Sequence, residues 1–299
     1  MAPQIAKFNR SSLWLGTTWS YRRFRQHQTE INQLYWSFAP SAGYSDYIAR
    51  HAMAGSTTAA VFQASGPDAH RIPSTIEEWR ASFKDFNNWV RMASALSAAS
   101  YLELYLRSVI TTALLADPLC RFGKPLLMDG VVWLKHGLHD DIAELVRNCL
   151  IGEWPRRAAE YEKLFKFVPA EITGNIDDLD RIRKLRNIVG HAFGRRLDVL
   201  DDRLTGGLGD RERLSENRFK KWLGLIEKTA KSVDIHLGKA HIQEFETIWH
   251  FHRWRMKPRS PSERGYTEPR AFSRELHQQL GKTPGQEFCR QLIEYYDSQ

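Results

Sequence analysis

One short segment of the chain combines side chains that could carry out phosphodiester chemistry. Arg186, Asn187 and His191 occur within six residues, RNIVGH, inside the longer run LDRIRKLRNIVGHAFGRR. Histidine can take up or release a proton near neutral pH. Arginine stays charged and can bind two oxygens of a phosphate. An amide beside them can orient the histidine or donate to the phosphate. RNA supplies its own nucleophile, the 2′-hydroxyl, so these residue types could act on it without a metal.

The apolar period of the same run predicts a helix. Arg186 falls in the apolar sector of that helix, whose other members are Leu179, Ile182, Val189 and Phe193. An arginine in such a stripe is costly unless a carboxylate or a phosphate meets it. Arg183, Asn187 and His191 form an i, i+4, i+8 row beside the stripe. Gly190 and Gly194 lie on the same flank, where small residues would allow a second helix to approach closely.

Glu103 is the carboxylate that we expect to meet one of these arginines. It lies on the apolar stripe of an earlier predicted helix, between Ala99 and Leu106, where a carboxylate should not stay unpaired. We predict that it orients Arg186 or Arg183 and links the two helices. The alternative is an ordinary ion pair between helices with no functional role.

The elements that would hold these residues read as helices throughout. A long helix is predicted from Ser74, which forms a capping box with Glu77, to Asp117 before Pro118, with a kink expected along its length. The motif helix should begin near Ile176 with Asn175 as its N-cap. Further helices are predicted over 138–150, 155–167 and 214–237, the last closed by Gly238. No alternating strand pattern is found, so the sequence predicts an all-α protein with a bundle core.

The chain divides into three predicted parts. Residues 1–72 are expected to form an irregular N-terminal extension with short helical stretches around 20–36. Residues 73–238 form the helical bundle. Residues 239–299 form a basic C-terminal helical extension, with one helix over 241–253 and two short ones after the Pro-, Ser- and Arg-rich stretch 257–269.

Composition favours a polyanionic partner. The 299 residues carry a net charge of +8, and a basic surface attracts phosphate backbones. Cys120, Cys149 and Cys289 are too widely spaced for a disulfide framework or a zinc motif. No signal peptide or membrane span is visible, which indicates a cytoplasmic protein.

Basic and aromatic residues suggest where RNA would bind. Arg253 and Arg255 lie in the run HFHRWRMKPR, in which aromatic rings could stack on bases. Arg195 and Arg196 follow His191 and could guide RNA towards it. The alternatives are a solvated arm for the first pair and neutralisation of a helix C-terminus for the second. His250 and His252 have no third ligand nearby, so we predict no metal site from them.

The segment from Arg186 to His191 resembles the R-x4-6-H signature of HEPN domains, helical bundles that often act as metal-independent ribonucleases. The resemblance covers about residues 74–238. It implies that Arg186, Asn187 and His191 are catalytic, that two protomers share one cleft, and that no cofactor is needed. It also implies a toxin or phage-defence effector with an antitoxin or defence-system partner. Some HEPN toxins carry a modifiable tyrosine two residues after the histidine; here Phe193 takes that position, which argues against that mode of neutralisation.

Two other interpretations stay open. The first is a non-catalytic HEPN-like module that binds a protein, a nucleotide or a nucleic acid and uses Arg186 and His191 structurally. The second is a basic helical protein that binds nucleic acid without cutting it.

Overall fold

The computed structural model of this chain is all-α, as predicted. The structure describes residues 16–123, 142–192, 212–257, 265–280 and 284–298. These ranges contain eleven α-helices and no β-strand. The helices, in chain order, are α1 Trp19–His51, α2 Thr58–Phe62, α3 Ile76–Ala116, α4 Ile142–Asn148, α5 Trp154–Phe165, α6 Ala170–Thr173, α7 Ile176–Ala192, α8 Glu216–Leu237, α9 Phe245–Arg255, α10 Glu268–Leu280 and α11 Gln286–Asp297.

Helix α3 is one continuous α-helix of 41 residues. Its capping box uses Thr75 and Glu78, not Ser74 and Glu77: the Thr75 hydroxyl accepts from the Glu78 backbone N–H, and the Glu78 carboxylate accepts from that of Thr75. The prediction was therefore one residue off. Both pairs have the same spacing, and only the direction of the incoming backbone decides between them. The helix ends as expected before Pro118, which begins a 3-10 turn over Pro118–Phe122.

Helix α1 corrects the prediction of an irregular N-terminus. It runs for 33 residues from Trp19, and its N-cap is Thr18, whose hydroxyl accepts from the Tyr21 backbone N–H. Its buried positions recur at alternating steps of three and four residues: Tyr21, Phe24, Gln28, Ile31 and Tyr35. That stripe is interrupted in the sequence by the polar Gln28 and followed by Pro40 inside the helix. Tertiary packing on α3 therefore sustains a helix that its composition only weakly favours.

The main core surrounds α3, which contacts α1, α4, α7 and α8. The α1 residues belong to this same apolar cluster, which extends from Tyr21 to Ile242. The residues predicted as an N-terminal extension therefore contribute part of the bundle core. A second, smaller cluster runs from Ile248 to Ile293 and joins α9, α10 and α11.

Helix α7 begins at Ile176 as predicted, and the Asn175 carbonyl accepts from the Leu179 backbone N–H in its first turn. The side-chain nitrogen of Asn175 donates to the Glu171 carbonyl of α6. The end of α8 differs from the prediction. Gly238 keeps a right-handed helical conformation and continues from α8 into a π turn over Gly238–Ile242. The chain changes direction only at Gln243, which has a φ of 48°.

Helix α8 is joined to α3 through the segment that precedes it. The buried Asn88 amide donates to the Glu212 carbonyl at 2.9 Å and accepts from the Leu214 backbone N–H at 2.9 Å. Arg91 donates to the Leu214 carbonyl at 2.7 Å. Because these groups are buried or half-buried, the bonds also satisfy backbone atoms that would otherwise lose water.

Candidate functional site

Helix α7 carries the motif and buries one face against α3. Leu179, Ile182 and Leu185 on that face are almost fully buried. Asp177 and Asp178 occupy the first turn, where the helix dipole favours negative charge. Asp178 also accepts from Lys221 of α8 at 2.6 Å. The helix is thus fixed both by its apolar face and by its N-terminal end.

Glu103 of α3 contacts Arg186 of α7, one of the two pairings predicted from the sequence. Nη2 of Arg186 lies 2.7 Å from Oε2 of Glu103, and 36% of the Arg186 side chain is exposed. Nη1 of Arg186 donates to the Asn187 side-chain oxygen at 3.2 Å. The guanidinium is therefore oriented by a carboxylate and an amide while part of it still faces solvent.

A second arginine, Arg157 of α5, binds the same carboxylate and was missed by the sequence analysis. Its Nη1 and Nη2 lie 3.3 and 3.4 Å from Oε1 of Glu103, and its side chain is only 7% exposed. Its Nε donates to the Gly152 carbonyl, and its guanidinium packs over the Trp154 ring. Burial lowers the pKa of Arg157, an effect that Glu103 opposes. A signal was present: Arg157 lies on the apolar face of α5 with Tyr161 and Leu164.

Arg183, the other predicted partner of Glu103, instead forms ion pairs with two other carboxylates, those of Asp180 and Glu153. Its Nε donates to Asp180 at 2.7 Å, and Glu153 lies 3.7 Å away. The hydrogen bond from Arg183 lowers the pKa of Asp180 to about 2. Arg183 is therefore largely neutralised by neighbouring carboxylates, which makes it a weaker candidate for phosphate binding than Arg186.

Several predicted residues lie at the end of the motif helix and just after it. His191 belongs to the last turn of α7, but its side chain lies outside the described residues, as do Phe193, Gly194, Arg195 and Arg196. Gly190 is exposed, and a Cβ built on it would meet nothing within 4 Å. The flank that carries Gly190 is thus open within the described part of the chain.

The two arginines in the basic run of α9, Arg253 and Arg255, have different surroundings. Arg253 is exposed and lines an open cleft of about 610 Å³ together with Trp19, Trp249 and Lys257. Arg255 binds Glu268 at 3.1 Å and Asp297 at 2.6 Å, which joins the three C-terminal helices. Of the two residues of this run that were predicted to bind RNA, only Arg253 lines the cleft, and Arg255 joins helices through its ion pairs.

Two carboxylates, those of the buried Asp234 and the half-buried Glu246, hold the start of α1 against α8 and α9. Asp234 accepts from the backbone N–H and the hydroxyl of Thr18, and burial raises its pKa to about 6. Glu246 accepts from the Trp19 backbone N–H at 2.8 Å, and burial raises its pKa to about 7. Their hydrogen bonds serve the N-terminus of a helix, so they read as structural groups.

One further group of side chains could hold a metal ion. Asp117, Cys120 and His241 are all buried, and their ligand atoms lie within 4.8 Å of one another. His250 and His252, from which no metal site was predicted, have other neighbours: His250 lies 3.2 Å from Glu275 and packs on Trp19, while His252 packs on Tyr296. Cys120, Cys149 and Cys289 are free and buried.

Comparison of the chain with protein-family models, with curated proteins and with solved structures found no match. The resemblance to HEPN domains therefore depends on the residues of α7 and on the helical setting. Among the described residues, every helix is too short or too polar to cross a membrane.

Proposed function

We propose that the protein is a metal-independent endoribonuclease of the HEPN type. The observation that carries the proposal is the arrangement of Arg186, which Glu103 and Asn187 orient while a third of its side chain stays exposed. His191 follows five residues later in the same helix. A cation held in one orientation and an imidazole are two groups that can catalyse RNA transesterification.

The local charge supports phosphate binding at Arg186. Glu103 carries one negative charge and contacts two guanidinium groups, those of Arg157 and Arg186. The three side chains together keep one positive charge. Arg157 is buried, so the positive charge that a ligand can reach belongs to the exposed Arg186. A phosphate that gains negative charge in the transition state would be stabilised there.

The proposed reaction is an intramolecular transesterification. The 2′-oxygen forms a bond to phosphorus and the bond to the 5′-oxygen breaks, leaving a 2′,3′-cyclic phosphate and a 5′-hydroxyl. One proton leaves the 2′-hydroxyl and one is delivered to the 5′-oxygen, which His191 and its copy in a second protomer would perform. The proposal includes a homodimer with the motif helices facing one cleft, as a cytoplasmic toxin or phage-defence effector with its own neutralising or activating partner.

Incubation with total RNA tests the proposal directly. The wild type should produce discrete fragments ending in a cyclic phosphate, and His191→Ala should produce none while keeping the helical circular dichroism of the wild type. Glu162→Gln, at an exposed position of α5, serves as the matched control and should cleave normally. A wild type that leaves all RNA intact at high enzyme concentration, alone and with a cell lysate as a source of activator, would refute the proposal.

A second candidate is a helical module that binds nucleic acid without cutting it. The cleft beside α9 favours this alternative, because Trp249 is 44% exposed there beside Arg253 and Lys257. Exposed aromatic rings next to cations suit stacked bases and their phosphates. Salt-dependent binding of single-stranded RNA that remains intact would favour this function over catalysis.

A further inference from the structure

Three buried side chains from two distant segments of the chain meet beside the C-terminus of α3. Asp117 follows the last residue of α3, Cys120 lies in the 3-10 turn after it, and His241 lies in the π turn after α8. Nδ1 of His241 lies 2.9 Å from Oδ2 of Asp117 and 3.5 Å from Sγ of Cys120. The side chains of Asp117 and His241 are 5% and 3% exposed, and Cys120 is fully buried.

The local backbone explains why these residues face one another. Residues three apart in a 3-10 turn lie on the same side, which brings Cys120 beside Asp117. The Cys120 backbone N–H also donates to the Asp117 carbonyl at 3.2 Å. A π turn contains an extra residue per turn, and here it turns His241 towards that pair. π turns are rare in proteins and often occur at functional sites.

The arrangement does not fit a cysteine nucleophile. In a Cys-His-Asp catalytic set, the thiol and the carboxylate use different nitrogens of the imidazole, because the histidine must pass on a proton. Here both groups meet the same nitrogen, Nδ1. Cys120 is also fully buried, so a substrate could not reach its sulfur.

We propose that Asp117, Cys120 and His241 bind a zinc ion. Sulfur, imidazole nitrogen and carboxylate oxygen are the three ligand types that zinc takes in proteins, whereas magnesium and calcium prefer oxygen alone. With ordinary zinc–ligand distances, a tetrahedral site separates sulfur from nitrogen by about 3.5 Å and nitrogen from oxygen by about 3.3 Å. The first separation matches the observed one, and the second requires only a small outward movement of the carboxylate.

The ion would have a structural role. It would join the end of α3 to the turn between α8 and α9, and Asp117, Cys120 and His241 would supply three of its ligands. The site shares no residue with the cluster of Glu103, Arg157 and Arg186, so it is independent of the proposed cleavage of RNA. The sequence gives little indication of this site, because His241 follows Cys120 by 121 positions.

Elemental analysis of protein purified without a polyhistidine tag tests the site. We expect about one zinc ion per chain in the wild type. Cys120→Ala should lose the ion and Asp117→Asn should bind it more weakly, while Cys149→Ala, at another buried free cysteine in the same core, should keep it. Cobalt substitution of the wild type should give a thiolate-to-cobalt charge-transfer band.

The cobalt experiment keeps the test decisive if Cys120→Ala fails to fold. Asp117→Asn retains the size of the side chain, and its cobalt spectrum should differ from that of the wild type because one oxygen ligand is weakened. A metal-free cluster held by hydrogen bonds is the competing result. Wild-type protein that contains no zinc, gains no thermal stability from added zinc and shows no thiolate-to-cobalt band would overturn the proposal.

Discussion

Arg157 and Arg186 bind opposite oxygens of one carboxylate although they belong to different helices. Glu103 uses Oε1 for the buried Arg157 and Oε2 for the partly exposed Arg186. Arg157 therefore fixes the carboxylate, and the carboxylate in turn orients Arg186. A change at Glu103 should consequently alter both the stability of the bundle and the position of the proposed phosphate ligand.

Glu103→Gln should lower the free energy of unfolding by roughly 1–3 kcal/mol, because a buried arginine loses its counter-charge. Urea unfolding of this variant and of the exposed control Glu162→Gln gives the comparison, and the control should stay near the wild type. The double variant with Arg157→Met should recover part of the loss, since the uncompensated charge is then removed. An unchanged stability of Glu103→Gln would mean that the ion pairs contribute little.

Arg186→Ala and His191→Ala should each reduce RNA cleavage by at least about 100-fold without unfolding the bundle. Replacement of the 2′-hydroxyl at the cut site by hydrogen should stop cleavage by the wild type, because the nucleophile is then missing. A chelator added to the assay should leave the rate unchanged as long as the proposed structural zinc stays bound. The zinc content per chain, measured before and after the assay, checks that condition. Cleavage of DNA, or a rate that falls while the zinc content stays constant, would contradict the proposed chemistry.

The contact between Glu103 and Arg186 could be predicted because each lies inside the apolar stripe of its own helix, where a charge needs a partner. The same pattern exists at Arg157, yet only the folded chain reveals that one carboxylate serves two arginines. Asp117, Cys120 and His241 could not be grouped from the sequence, since a 3-10 turn and a π turn create their proximity. Helix α1 was missed for a different reason: Gln28 and Pro40 hide a regular stripe that packing on α3 stabilises.

Gly190→Leu should disrupt a dimer formed through the motif flank. Gly190 is exposed and a Cβ built on it meets no described atom within 4 Å, so we expect the larger side chain to leave the protomer folded. Light scattering after size-exclusion chromatography should find a dimer for the wild type and a monomer for the variant. Gly43→Leu, at another exposed helical glycine with open space, is the control and should remain a dimer. A wild type that is monomeric and still cleaves RNA would exclude the shared cleft.

Arg253→Ala and Arg255→Ala should separate RNA binding from stability. Arg253 lines the aromatic cleft, so its loss should weaken RNA affinity. It should also lower the slope of log K against log salt concentration by about the contribution of one phosphate contact. Arg255 binds Glu268 and Asp297, so its loss should leave RNA affinity nearly unchanged and loosen the C-terminal helices. Fluorescence anisotropy over a range of salt concentrations measures the first effect, and limited proteolysis measures the second. Equal loss of affinity in both variants would argue against this division.

Glu246→Gln should gain stability relative to the wild type as pH rises. Burial raises the pKa of Glu246 to about 7 from an ordinary value of 4.5, so the folded state binds its proton more tightly than the unfolded state does. The stability that this proton contributes is present below pH 4.5 and is lost as pH rises through the folded-state pKa. Glutamine stays neutral and can still accept from Trp19.

The difference between the two proteins should therefore grow by roughly 1–3 kcal/mol across that window in urea unfolding at a series of pH values. Groups that do not interact with Glu246, such as His236, titrate alike in both proteins and cancel. Asp234, whose charge helps to raise the pKa of Glu246, contributes to the measured difference. A difference that stays constant with pH would show that Glu246 titrates normally.

The length of α3 affects which parts of the protein can unfold locally. Ala98, Val109 and Ala113 along this helix have no exposed surface, and the helix contacts α1, α7 and α8. Breaking its central backbone hydrogen bonds would require those neighbours to separate at the same time. Amide hydrogens around Ala98–Ala113 should then exchange with deuterium only through global unfolding, whereas those of α10 and α11, which pack in a separate apolar cluster, can exchange through a smaller opening.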